Sequence, residues 1–312
     1  MKLIDCWSQW SKMPSDTPDA NQKAKFAHVV QAWLARVLLF VVRLFPVHVT
    51  SGFGGWLGRT IGPFLPVTKM ARRNISRSFP KKSSRDIDQI IEGMWDNFGR
   101  VVFEFPNLDK IRFSGPDPHI EYVNPHEIAN ARDDGEPGVF VAGHLANWEL
   151  AVRSIGHKGL PLHTIFRAFN NPLIHDLPLH RNFGDGELIP KGSKGAKRLI
   201  QLLKNGEHIG MLPDQKLNEG IAIPFFGRDA MTPPALAQFA LRFDCPVIPV
   251  RIERKSGVNF RITYYPPMKV ENTGDRHADV RNFMIKINGM LEGWISERPD
   301  QWLWLHRRWP EN

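Results

Sequence analysis

The sequence predicts an α/β fold, with a mostly parallel central sheet flanked by helices and an N-terminal membrane-associated helix ahead of it. Three observations predict it. From about residue 136, short apolar runs alternate with segments of helical period: GVFVAG (138–143), LHTIF (162–166), ELIP (187–190), HIGMLP (208–213) and PVIPVRI (246–252). Strands separated by helices read as a parallel sheet. A strongly periodic helix precedes this region, and an apolar stretch at residues 26–45 precedes that helix.

Composition sets the bounds. The chain has 312 residues, 42% hydrophobic and 23% charged, which excludes a disordered or fibrous chain. Lys and Arg number 41 against 32 acidic residues, giving a net charge of +9. Such a surface suits an anionic partner: nucleic acid, anionic lipid or an acidic carrier protein. Two cysteines, Cys6 and Cys245, exclude a disulfide framework and a Cys-rich zinc site, and fit a reducing compartment.

The first 25 residues form a tail. MKLIDCWSQW lacks the apolar core and the small-residue cleavage site of a signal peptide. Residues 26–45, FAHVVQAWLARVLLFVVRLF, would reach roughly 30 Å as a helix, one hydrocarbon thickness. Arg36 and Arg43 interrupt the stretch, and a central Arg is costly in lipid. On a helical wheel His28, Gln31, Ala32, Ala35, Arg36 and Arg43 share one sector, against Phe26, Val30, Trp33, Val37, Phe40, Val41 and Leu44. A wide apolar face with a thin cationic strip reads as an interfacial or steeply tilted membrane helix, with a buried core helix as the alternative. Lys23 and Lys25 before it, and Arg72, Arg73, Arg77, Lys81 and Lys82 after it, favour the anionic cytoplasmic leaflet.

Residues 46–66 carry GFGGWLG and GPFLP and read as a turn-rich joint. Ser83-Ser84-Arg85-Asp86 is a capping box. Ile87, Ile90, Ile91, Met94, Trp95, Phe98 and Val101 then recur at helical spacing, in a helix that ends before Pro106. Among the later helices, Ala196, Leu199, Ile200 and Leu203 mark one that stops at Gly206. Val280, Phe283, Met284, Ile287, Leu291 and Trp294 mark another.

Ligands of open α/β sheets sit beyond the carboxyl ends of the strands. His144-Leu145-Ala146-Asn147-Trp148-Glu149 follows the first apolar run, Arg167 and Asn170-Asn171-Pro172 follow the second, and Asp214-Gln215 follows HIGMLP. A carboxylate five residues after an imidazole, at a strand-to-helix turn, can reach back to the ring, fix its tautomer and stabilise imidazolium. The spacing alone is weak. It occurs at His144/Glu149, His180/Asp185 and His306/Glu311, where chance gives about one from 12 histidines and 32 acids in 312 positions. Only His144 follows a clear apolar strand run, and a structural histidine remains the alternative there. There is no G-x-S-x-G elbow, so the hydroxyl for His144 to deprotonate belongs to the substrate.

The block His144–Glu149 resembles the first motif of the lysophospholipid acyltransferase superfamily, in its lipid A biosynthesis (late lauroyl/myristoyl) acyltransferase branch. Phe166–Pro172 resembles the second motif, Asp214-Gln215 with Ile223–Gly227 the third, and Pro246–Pro249 the fourth. The tail Pro299-Asp-Gln-Trp-Leu-Trp-Leu-His-Arg-Arg-Trp309 is the most distinctive block. Leu145-Ala146 and Lys216–Glu219 depart from the usual pattern.

The resemblance implies that His144 is a general base on an acceptor hydroxyl, oriented by Glu149. The hydroxyl attacks the thioester of an acyl-carrier protein, with no covalent acyl-enzyme, no metal and no cofactor. Arg167 would bind phosphate or steady oxyanion charge. Asn147, Asn170, Asn171, Asp214 and Gln215 are the remaining substrate-binding candidates; Asn170 and Asn171 also suit a simple turn, and Asp214 would hold acceptor groups or position Arg167. The implied acceptor is a lipid A precursor of the Kdo-lipid IVA type. The alternative is another glycolipid or a lysophospholipid, with acyl-CoA as donor. The implied setting is the cytoplasmic face of the inner membrane, with residues 46–312 as catalytic domain.

Lys191, Lys194, Lys197 and Arg198 are a landing patch for the acidic carrier or a solvated helix face. Trp302, Trp304 and Trp309 read best as packing the last segment onto the sheet, with a membrane-interface role as the alternative. No zinc-finger, helix-turn-helix or RNA-binding signature accompanies the charge, which argues against nucleic acid. His126-Glu127 lacks the second zincin histidine.

Overall fold

A computed structural model describes residues 26–166, 171, 173 and 186–310. Among these residues four helices come first: α1 (Phe26–Arg43), α2 (Val47–Ile61), α3 (Thr68–Ser78) and α4 (Ser84–Glu104). No described helix is long and apolar enough to cross a membrane. The end of α1 is tied down by polar contacts. Arg43 donates to the Pro106 carbonyl at 2.6 Å and pairs with Asp109 at 2.9 Å, and Asn107 donates to the Val42 carbonyl at 3.2 Å. Arg36 donates to the Leu173 carbonyl at 3.0 Å.

The joint expected at residues 46–66 is instead mostly helix, and its glycines explain why. Gly54, Gly58 and Gly62 lie four residues apart and face α4. A methyl on Gly58 would collide with the Trp95 carbonyl, and one on Gly54 or Gly99 with the backbone of the other. Small residues let the two helix backbones approach closely. The packing gained outweighs the poor intrinsic helix propensity of glycine, about 1 kcal/mol per residue. Helix α4 follows its pattern. Ser83 accepts from the Asp86 amide, Asp86 accepts from the Ser83 amide at 2.9 Å, and the helix stops two residues before Pro106.

Among the described residues the sheet has seven strands, in the order β1-β9-β8-β2-β5-β3-β4. They are β1 (Ile120–Val123), β2 (Gly138–Val141), β3 (Leu162–Phe166), β4 (Leu188–Pro190), β5 (His208–Met211), β8 (Val247–Ser256) and β9 (Asn259–Tyr264). Five run parallel; β9 is antiparallel to β8, and β1 follows β9. Apart from the sheet, β6 (Ile221–Phe225) and β7 (Arg228–Thr232) form a hairpin. Its turn residues, Phe226 and Gly227, both have positive φ, at 49° and 70°. That is the primed two-residue turn, and it accounts for the glycine of the third motif.

Alternation along the strands builds two cores. Val139, Val141, Ile209 and Val247 pack under α7 (Ser193–Lys204), α8 (Ala235–Phe243) and α9 (Arg276–Glu297). Phe140, Ala142, Leu162, Ile248 and Val250 pack under α5 (His126–Asp133) and α6 (Glu149–His157). The three tail tryptophans are buried in the first core.

Candidate active site

Strands β2 and β5 are parallel neighbours in a register that pairs Val141 with Met211. Three residues beyond each partner stand His144 and Asp214. The pairing therefore brings a residue 70 positions away onto the imidazole. Asp214 Oδ1 lies 2.7 Å from His144 Nδ1, and Asp214 Oδ2 accepts from the His144 amide at 2.6 Å. Gly143 leaves room for this approach, because a Cβ there would lie 3.3 Å from Asp214 Oδ2 and 3.0 Å from Leu291.

Asp214 is fully buried. Burial alone would raise its carboxyl; the charge of His144, the two bonds from it and the bond from Trp302 overcome that and hold the group well below the usual carboxylate range. Trp302 Nε1 donates to Oδ2 at 2.8 Å. An ionised Asp214 accepts the Nδ1 proton and leaves the Nε2 lone pair free to take one. The Gln215 side-chain amide stands 3.2 Å from Nε2. His306 lies behind, with Nε2 3.3 Å from the Asp214 carbonyl; burial lowers its pKa below the ordinary 6.5.

The turn that carries His144 is strained and clamped. Ala146 has φ +48°, a left-handed conformation that costs a residue with a Cβ about 1–2 kcal/mol. The tail holds it. Leu145 bridges Trp302, the Ala146 amide donates to the Gln301 carbonyl at 2.9 Å, and the Leu303 amide donates to the His144 carbonyl at 3.2 Å. Asn97 donates to the Ala146 carbonyl at 3.1 Å.

Beneath the turn lies a buried ion pair, Arg254 with Glu104. Glu104 also accepts from Ser51 at 2.6 Å and from Asn147 at 2.7 Å, while Arg254 donates to Asn97 at 2.9 Å. The network thus joins α2, α4, β8 and the turn after β2. Removing one member of such a buried pair strands the other charge, at about 3–5 kcal/mol.

His144 opens on a cavity of about 620 Å³. Its walls come from β2, β3, β5, α6 and the segment after Asp214, and its polar lining includes Glu149, Thr164, Lys191, Gln215 and Lys216.

The structure reassigns several expected roles. The carboxylate on His144 Nδ1 is Asp214, where Glu149 was expected. Glu149 begins α6, lines the cavity and acts electrostatically on Arg153. An acid in the first turn also complements the helix dipole. Asp214, expected to hold the acceptor or Arg167, holds the His144 ring and amide, and Arg167 lies outside the described residues. Asn147 is fully buried on Glu104 and is not part of the cavity lining, so it supports the turn where substrate binding was expected. Gln215 does face the cavity. Asn171 is buried, donates to the His28 carbonyl of α1 at 2.8 Å and accepts from the Leu173 amide at 3.0 Å, which is the turn role with an added tie to α1. Arg167 and Asn170 lie outside the described residues, as do His180, Asp185 and Glu311.

Sequence reasoning missed Trp302 as a donor to Asp214, and missed Asn97, Glu104, Arg254 and Gln301 entirely. Trp302 carried a signal, since a buried indole needs an acceptor. The others carried none that separates them from their neighbours: Asn97 follows Asp96, Arg254 lies between Glu253 and Lys255, Gln301 follows Asp300, and Glu104 is a lone acid in an apolar run.

A family model described as bacterial lipid A biosynthesis acyltransferase matches residues 20–311. Among curated proteins, the chain is 24% identical over 285 residues to a lipid A biosynthesis lauroyltransferase of Escherichia coli, covering 88% of this chain and 90% of that one. It is 23% identical, with the same coverage, to the lipid A biosynthesis palmitoleoyltransferase of that organism. It is also 23% identical to a lipid A biosynthesis acyltransferase of Shigella flexneri.

Proposed function

Because the chain belongs to the bacterial lipid A biosynthesis acyltransferase family, and so is an acyltransferase, we propose that it moves a fatty acyl chain from acyl-carrier protein to a hydroxyl of a lipid A precursor of the Kdo-lipid IVA type. The observation that carries the reading is the His144–Asp214 pair at the mouth of a largely apolar cavity.

The chemistry follows from that pair. An acceptor hydroxyl enters hydrogen-bond reach of His144 Nε2. As its oxygen attacks the thioester carbonyl, the proton passes to Nε2, and Asp214 stabilises the imidazolium. The tetrahedral intermediate collapses, the carbon–sulfur bond breaks, and the departing sulfur takes the proton from His144. The products are an ester and the free carrier thiol. Neither metal nor cofactor enters this sequence. Arg167 is proposed as the guanidinium that steadies oxyanion or phosphate charge. Gln215 and Glu149 are proposed to contact the acceptor from the cavity wall.

The setting is proposed as the cytoplasmic face of the inner membrane. Helix α1 exposes Trp33, Leu34, Leu38 and Phe40, and Leu44 just after it is exposed as well. Val49, Phe53 and Trp56 form an exposed stripe on α2 opposite its glycine face, and Phe64 at its end is 85% exposed. Exposed Lys69, Arg72 and Arg73 on α3 suit anionic headgroups. Lys191 at the cavity, with exposed Lys194 and Lys197 on α7, suits an acidic carrier protein.

The test incubates the purified, detergent-solubilised protein with a lipid A precursor bearing a free hydroxyl, and with acyl-carrier protein thioester or acyl-CoA in parallel. Mass spectrometry reads the product. The reading expects one added acyl chain, faster from the carrier thioester, and none with His144→Ala. No acyl gain from either donor would overturn it. Equal or faster transfer from acyl-CoA would favour the alternative donor.

A further inference from the structure

We propose that Gly210 sets the depth of the acyl-chain lobe of the cavity, and with it the length of the chain transferred; the inference rests on the acyl-transfer reading above. The cavity reaches both faces of the sheet. One part is lined by Val141, Ile165, Met211 and Ala235, whose neighbours belong to the core under α7, α8 and α9. The other runs under α6 and is lined by Phe140, Ile155, Leu162, Thr164, Gly210 and Leu212. Thr164 supplies the one polar side chain among those six. Phe140, Ile155 and Leu162 are buried in the core under α5 and α6, so the cavity wall here is packed side chain. An apolar wall beside His144 fits an unbranched hydrocarbon tail whose reactive carbonyl stays at the mouth.

Gly210 is part of that wall. It is in the interior of β5, with Phe140 of β2 on one side and Thr164 of β3 on the other as register partners. Its backbone does not require glycine, because its φ is not positive. Glycine weakens a strand interior and often marks a place where a ligand approaches the backbone closely. A Cβ at this position would lie 3.0 Å from Thr164 Cγ2 and 3.1 Å from Leu162 Cδ2. There is room for one methyl only if these neighbours give by a few tenths of an ångström. Anything larger has to extend into the lobe, in the space the chain would use. The absent side chain is therefore depth.

The experiment gives purified wild type, Gly210→Ala, Gly210→Val and Leu162→Ala an equimolar mixture of saturated acyl donors differing by two methylenes, with one acceptor. Mass spectrometry reads the product ratios, and circular dichroism checks each fold. Gly210→Val is expected to move the preferred chain shorter by at least one step and lower the long-to-short ratio about tenfold or more. Gly210→Ala moves it the same way by less. Leu162→Ala moves it toward longer chains. Should Gly210→Val fail to fold, the opposite shifts of the other two decide the matter. Product ratios unchanged in the folded variants, whatever their overall rate, would overturn the inference and leave acyl transfer standing. A wild type that transfers no chain of any length would instead overturn the reading on which the inference rests.

Discussion

The imidazole of His144 and the indole of Trp302 hang from one carboxylate: Nδ1 lies 2.7 Å from Asp214 Oδ1, and Nε1 donates to Oδ2 at 2.8 Å. A residue near the end of the chain thereby fixes the rotamer of the carboxylate that fixes the tautomer of His144. Trp302→Phe keeps most of the ring packing and removes the donor. Hydrogen bonds to charged groups contribute about 1.5–3 kcal/mol, so thermal unfolding should report a loss of that order, with a drop in turnover. An unchanged melting temperature would show that the indole bond is dispensable.

The glycines of α2 yield two predictions of opposite sign from one substitution. Gly→Ala in a helix ordinarily stabilises by about 0.5–1 kcal/mol. At Gly52 nothing lies within 4 Å of the new methyl, so Gly52→Ala should gain that amount. At Gly58 the methyl meets the Trp95 carbonyl. Gly58→Ala must separate α2 from α4 and should cost about 1–3 kcal/mol. Urea unfolding of the pair measures both, and equal effects would refute backbone-to-backbone contact.

Burial holds the pKa of His208, as of His306, below the ordinary 6.5. The folded chain therefore protonates these rings less readily than the unfolded chain, which takes up protons as pH falls through 6.5. The unfolded state then binds more protons, so their contribution is present above 6.5 and is lost as pH falls below it. Melting temperature followed from neutral pH to about 5.5 should decline, and His208→Gln should flatten the decline. Identical slopes in the two proteins would exclude His208 as a contributor.

What the sequence made legible was local. Helix α4 announced itself because its capping box and its apolar period lie in consecutive residues. Strands β2, β3 and β5 did so because buried parallel strands are continuous apolar runs. Helix α2 stayed hidden because glycine signals turns when read singly; only its four-residue repeat, facing another helix, shows what it does. Strand β9 stayed hidden as well. NFRITY alternates apolar with polar, and one of its neighbours, β1, precedes it by more than a hundred residues.

The site divides along the same line. His144 was legible from its place at the end of an apolar run. Its partner was sought five residues away, at Glu149, because a sequence shows spacing and not register. Asp214 could have been found by asking which strand neighbours β2, since the carboxyl ends of adjacent parallel strands converge. The Glu104–Arg254 pair has no such signature. It is assembled from residues 150 positions apart.

The most direct test of the central claim is the turnover number of Asp214→Asn, measured on protein whose fold is verified by circular dichroism. An amide at this position can present its NH2 to Nδ1, favouring the tautomer whose Nε2 carries the proton and so cannot act as base. The account predicts that kcat falls by about 10³–10⁴-fold. An Asp214→Asn protein that turns over within tenfold of wild type would contradict it.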